Sequence, residues 1–147
     1  MTKMLEKSER FTIVTAIYEN LLIQDKAFEI NWDFIIENSI YENNQINLEL
    51  VKKMYTIFLE NSSVYEKKVS TYLKSYSSTP LIVKAILITL FLETDKTVAE
   101  NQGLTDNFLG KYPRITQELI AGEYTSLINA IVRKVALDYN LKFTENA

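Results

Sequence analysis

The chain of 147 residues contains no Cys, no His, three Gly and two Pro, with 47% apolar and 24% charged side chains. Sixteen basic against 19 acidic residues leave a net charge of −3, so no overall positive field advertises a nucleic-acid binder. The missing thiols and imidazoles exclude a Cys or His nucleophile, an imidazole base, a disulfide framework and the usual zinc, haem or iron–sulfur ligand sets, while oxygen-ligated metals and carboxylate chemistry stay open.

The length suits a single domain over 1–147, and the absence of disulfides fits a reducing, cytoplasmic setting. Met1–Arg10 carries Lys3, Glu6, Lys7, Glu9 and Arg10 with no apolar stretch, so it does not read as a signal peptide. All five Gly and Pro residues lie from Pro80 onward, which lets the first half run as helices with few forced breaks.

Val14, Ile17, Tyr18 and Leu21 recur at helical spacing opposite Thr12, Thr15 and Glu19, predicting an amphipathic first helix over about 8–24. Trp32, Ile35, Ile36 and Ile40 suggest a shorter second helix, and the Asn-rich stretch 38–47 reads as a loop because Asn competes for nearby backbone hydrogen bonds. Val51, Met54, Tyr55 and Phe58 stripe a third helix whose other side carries Glu49, Lys52, Lys53 and Thr56. Ser63 with Glu66 fits a capping box opening a fourth helix, with Tyr65, Val69, Tyr72, Leu73 and Tyr76 as its apolar face.

Thr79 before Pro80 offers an N-cap for a fifth helix. Its run Leu81–Leu92 is apolar nearly all round, which predicts a central, buried position; at 12 residues, with Lys84 inside, it falls short of the roughly 18 to 20 a membrane span needs. Thr97 with Glu100 fits a further capping box, opening a sixth helix that stops near Gly110 and Pro113. Tyr124, Leu127, Ile128, Ile131 and Val135 stripe a last helix ending near Asn140. The expected fold is all-α, about seven helices with short connections, packed as antiparallel bundles.

No phosphate-cradling Gly-rich loop or G-x-S-x-G elbow occurs, and three isolated Gly residues cannot build one, so neither an enzyme nor a cofactor is expected. Aromatic rings beside Lys or Arg are how proteins hold single-stranded nucleic acid, but most rings here sit on the apolar stripes and read as core. Tyr18 lies a helical face away from the basic start formed by Lys3, Lys7 and Arg10, where its hydroxyl could reach solvent. Asn101 and Asn129 are polar within apolar helical surroundings; each is either a buried amide satisfied by backbone or part of a surface for RNA or protein.

Taken in order, these segments resemble the NusB family of bacterial transcription antitermination factors. Arg10-Phe11-Thr12-Ile13-Val14-Thr15-Ala16-Ile17-Tyr18 is similar to the family's R-x-x-A-V-Q-A-L-Y, and Lys84-Ala85-Ile86-Leu87 with Leu92-Glu93 to R-A-I-L-R-x-A-x-Y-E. Val98-Ala99-Glu100-Asn101-Gln102 resembles V-A-I-N-E, and Leu127-Ile128-Asn129-Ala130-Ile131-Val132 resembles F-V-N-G-V-L, so the ordered set spans about 8–138.

The resemblance implies seven helices in two antiparallel bundles and no catalysis. It implies a factor that binds single-stranded, boxA-type nascent RNA together with NusE, a small-subunit ribosomal protein, within the transcription elongation complex during ribosomal RNA synthesis. It places Lys3, Lys7 and Arg10, with Glu123 to Leu127, on the RNA side, where Asn129 and Tyr18 would contact bases or support that surface. Glu93 and Asn101 fall to the protein-partner side. The family Gln is Thr15 here, one Arg is Ile88, a Tyr is Leu92 and a Phe is Leu127, which removes a phosphate contact and a stacking ring and predicts weaker or NusE-dependent RNA binding. The alternative is a protein-interaction domain of the same fold, monomeric or homodimeric, with RNA binding lost; the net charge of −5 over Glu19–Glu60 suits a basic protein partner.

Overall fold

The computed structural model describes residues 5–25, 27–39, 46–99, 104–120, 124–138 and 143–144, with 98, 99, 104–110, 117, 120, 143 and 144 described for the backbone alone. Seven helices account for most of these residues: α1 (Lys7–Ile23), α2 (Trp32–Glu37), α3 (Leu48–Glu60), α4 (Ser62–Tyr72), α5 (Leu81–Ala99), α6 (Asp106–Ile120) and α7 (Thr125–Asp138). The fold is all-α. A two-residue parallel pairing of β1 (Leu104–Thr105) with β2 (Phe143–Thr144) is the one strand pairing among the described residues. The chain divides into two compact units, Leu5–Leu92 and the part from Glu93 onward, with the boundary inside α5.

In the first unit α1 packs against α2 and α3, and α3 against α4. Two of its helix starts, those of α2 and α3, are set by Asn chemistry. Asn31 Oδ1 accepts from the Phe34 N–H at 3.0 Å and Asn47 Oδ1 from the Leu50 N–H at 3.2 Å, each satisfying an orphan donor of a first turn. The end of α1 is a left-handed residue, Gln24 at φ 55°, whose N–H donates to the Asn20 carbonyl. Val51, Met54, Tyr55 and Phe58 of α3 are buried as their spacing predicts, opposite exposed Glu49, Lys52, Lys53 and Thr56.

The α1 reading needs correction. Thr12, assigned to an outer face, is 1% exposed, and Ser8, Glu9 and Arg10 are buried with it. The threonine escapes the usual cost of a buried hydroxyl because Oγ1 donates to the Ser8 carbonyl one turn back at 2.8 Å. Helix α4 also differs from expectation. Asn61, not Ser63, is its N-cap, and the helix ends at Tyr72, so Leu73 is extended and Tyr76 lies in the turn beyond.

Thr79 does not cap α5, which begins at Leu81 with its first bond running from the Lys84 N–H to the Pro80 carbonyl; the Thr79 hydroxyl donates to the Ser75 carbonyl at 2.7 Å. From Val83 to Thr94 every residue of α5 is buried, in line with its all-round apolar sequence. The proposed break at Thr97 is absent. The Thr97 hydroxyl donates to the Glu93 carbonyl at 2.8 Å and α5 continues to Ala99, while Glu100 lies outside the described residues.

In the second unit α6 packs against α7. It runs through both Gly110 and Pro113, where the sequence predicts a stop. A proline inside a helix removes one backbone bond and costs about 3 kcal/mol, and tertiary burial of Tyr112, Pro113, Ile115 and Thr116 on one side supplies the offsetting packing.

Candidate functional site

The basic start of α1 divides into two environments. Lys7 is exposed, whereas the Arg10 side chain is 2% exposed and among the largest fully buried side chains of the molecule. Arg10 therefore cannot serve as a surface phosphate contact. The reason is one of register: α1 is covered at 8, 9 and 10 as well as on its apolar stripe, so the arginine stem packs inside. Lys3 lies outside the described residues. Tyr18 is half-buried on the same helix.

Glu9, which in sequence only offsets the basic cluster, has a structural task. One carboxylate oxygen accepts from the Glu6 N–H at 2.8 Å and the other from the Asn47 N–H at 3.0 Å. A single carboxylate thus caps α1 and fixes the chain that enters α3, with favourable charge at the helix N-terminus.

Of the two protein-side candidates, Asn101 lies outside the described residues and Glu93 is 1% exposed. Oε1 of Glu93 accepts a 2.6 Å hydrogen bond from the Tyr112 hydroxyl, which joins α5 to α6. Glu93 is correspondingly a buried cross-helix acceptor and not a residue that a partner reaches directly. Ile88 and Leu92, the positions that depart from the resembled motif, are also buried at 0% and 2% exposure. An arginine at 88 would place a charge in that interior, which explains why an isoleucine is stable there.

Helix α7 buries Ile128, Ile131, Val132, Val135 and Ala136. Leu127, placed by spacing on the apolar stripe, is instead 37% exposed. Asn129 is half-buried, and Ser126, Ala130, Arg133, Lys134 and Leu137 are exposed. The outward side of α7 is therefore a strip of mixed apolar, amide and cationic character. Glu123 lies outside the described residues.

The first unit holds a feature that the sequence reading missed, a cleft of about 630 Å³ between the end of α1, the α3–α4 junction and the start of α5. Phe28, Phe58 and Leu81 contribute its apolar walls; Asp25, Glu66, Tyr76 and Lys84 contribute polar ones. The Tyr76 hydroxyl donates to Glu66 Oε1 at 3.1 Å, and Lys84 Nζ stands 4.1 Å above the Tyr76 ring. Burial, reinforced by the Glu66 carboxylate, holds the Tyr76 phenol well above its usual range, so it stays neutral. Two signals were present in sequence. Lys84 interrupts an otherwise apolar run, and Ser75-Tyr76-Ser77-Ser78-Thr79-Pro80 has turn composition.

Among the described residues no group of three or more acidic side chains is placed to hold a metal ion, and no helix is long and apolar enough to cross a membrane. These observations define an all-helical protein with an exposed mixed strip on α7 and a polar-lined cleft in its first unit. Compared with protein-family models, with curated proteins and with solved structures, the chain matches none.

Proposed function

We propose that the chain works by assembly, as a bacterial, cytoplasmic NusB-type antitermination factor with two helical bundles. It would bind single-stranded boxA-type RNA jointly with the ribosomal protein NusE in the elongation complex. The observation that supports this reading is the outward side of α7. Leu127 and Asn129, from the segment that resembles the family motif, are exposed and half-buried there, and exposed Arg133 and Lys134 follow one turn on. Cations of this kind neutralise phosphates without reading sequence, whereas an amide can pair with a base edge and an apolar side chain can cover a base face. With Arg10 buried, the first helix contributes Lys7 alone among its described basic residues. RNA affinity then rests on fewer cations and on the surface that NusE adds.

The test is binding of boxA-like RNA across a salt series, with and without NusE. The reading requires tighter binding with NusE present and a shallower salt slope in an Arg133→Ala/Lys134→Ala variant. Equal affinity for boxA-like and scrambled RNA under both conditions would refute it.

A second reading is favoured by the surface of the first unit. Leu22, Ile23, Phe34, Ile57 and Leu59 are exposed apolar residues there, in a stretch of net charge −5 over Glu19–Glu60, and exposed Val64 lies just beyond it. Such a surface suits a basic protein partner better than RNA. Co-purification with NusE, combined with no protection of RNA, would select this protein-interaction role over the first.

A further inference from the structure

We infer that the cleft of the first unit is a binding site for a small amphiphilic monocarboxylate, held by the ammonium of Lys84 where it stands over the ring of Tyr76. Lys84 is 7% exposed, yet among the described residues its Nζ meets neither a hydrogen-bond acceptor nor a carboxylate. Nζ stands 4.1 Å from the centroid of the Tyr76 ring. A cation–π contact satisfies the charge from one side, but an ammonium carries three N–H donors that a ring face does not saturate. The stem is buried while the ammonium itself keeps contact with solvent, so its N–H donors are open to an acceptor that enters from outside. Lys84 also lines the cleft, so a partner can reach it from there.

The rest of the lining specifies the ligand. Among the described residues no carboxylate pairs with Lys84; Glu66 accepts from the Tyr76 hydroxyl at 3.1 Å, and this bond fixes the ring over which the ammonium stands. Asp25 is engaged too, its Oδ1 accepting from the Ala27 N–H at 2.9 Å. With one cation and two carboxylates around the cleft, a dianion such as phosphate is repelled more strongly than a monoanion, and the single ammonium offers one direct contact to one carboxylate. Phe28 and Leu81 provide apolar area for the body of the ligand, and a volume of about 630 Å³ accommodates a small organic acid.

The test is titration of the full chain, followed by amide chemical shifts, with phenylacetate, with neutral phenylacetamide, with inorganic phosphate and with a short peptide ending in a free Phe carboxylate. Phenylacetate is expected to perturb residues around the cleft and to bind about tenfold or more tightly than its amide, the ratio a charge-assisted hydrogen bond provides. Lys84→Met should abolish that preference while helical circular dichroism is retained, and Lys84→Arg should keep it. If Lys84→Met does not fold, the acid-to-amide ratio of the wild-type chain and of Lys84→Arg decides. Equal affinity for acid and amide, an unchanged preference in folded Lys84→Met, or tighter binding of phosphate would each overturn the proposal. Binding of the peptide without binding of phenylacetate would overturn it as well, by assigning the cleft to a chain terminus.

Discussion

The Tyr112 hydroxyl donates to Oε1 of Glu93 across 2.6 Å, inside a region where Glu93 is 1% and Tyr112 0% exposed. A carboxylate at that depth is tolerable only with donors directed at it, and the phenol is one that α6 brings to α5. Tyr112→Phe removes the donor and leaves the ring in place. We expect a loss of about 1.5–3 kcal/mol, read from the urea midpoint, since a hydrogen bond to a buried charged group is worth about that much. A midpoint unchanged by Tyr112→Phe would show that this bond contributes nothing net.

Glu9 should behave as a two-handed clamp between α1 and the entry to α3. Glu9→Ala forfeits both backbone contacts, to Glu6 N–H and Asn47 N–H, and is expected to cost about 2 kcal/mol or more. Glu9→Gln keeps one acceptor oxygen and should lose roughly half as much. Equal losses in the two variants would mean that packing, not the pair of accepted bonds, explains the residue.

Alkaline pH should weaken the first unit through its tyrosines. Burial pushes the Tyr76 phenol above the usual tyrosine value of 10.0, and the Glu66 charge adds to this. The Tyr55 phenol is also raised, first by burial; the hydrogen bond with the Asn20 amide lowers it and the Glu19 charge raises it. Both phenols ionise earlier in the unfolded chain than in the folded one. Their contribution is therefore full below about pH 10 and is lost as the pH rises through their higher folded-state values. The denaturant midpoint should fall above about pH 10 in the wild type and fall less in Tyr55→Phe/Tyr76→Phe. Parallel curves for the two proteins would contradict this assignment.

Arg10 and Lys7 should separate cleanly, although they lie three positions apart on one helix. Arg10→Ala empties a buried site and is expected to cost about 2 kcal/mol or more of folding stability. Lys7→Ala, at an exposed position, should leave stability within about 0.5 kcal/mol and, if RNA is bound, reduce the salt slope by about one. Thermal melts and a salt series of RNA titrations check the pair. A large salt-slope change with no loss of stability in Arg10→Ala would place that guanidinium on the RNA after all.

Several features were legible because they depend on local periodicity. The stripe Val51, Met54, Tyr55, Phe58 is buried where helical spacing puts it, and the run Leu81–Leu92 marks a helix covered nearly all round. Other readings failed where two local solutions have similar energy. Ser63 with Glu66 matches a capping box, but Glu66 instead accepts from Tyr76, ten residues on, which no short-range pattern predicts. Thr79 and Thr97 match caps, yet both hydroxyls donate to carbonyls four residues back. Pro113 reads as a stop because the backbone penalty is local, while the packing that outweighs it is not.

The amino-acid sequence alone determined that this protein is helical, lacks thiol and imidazole chemistry, and carries its cations mostly as lysine. Only the tertiary structure decided which polar groups are surface and which are interior. Arg10 and Glu93, candidates for outward contacts, are buried, and Lys84, embedded in an apolar run, lines a cleft. The physical reason is that periodicity tells which residues share a helix face, whereas the cost of burying a charge depends on what the rest of the chain brings to meet it. For Glu93 that is a tyrosine 19 residues away, and for Lys84 it is one aromatic ring beside a cleft that leaves the ammonium open to solvent.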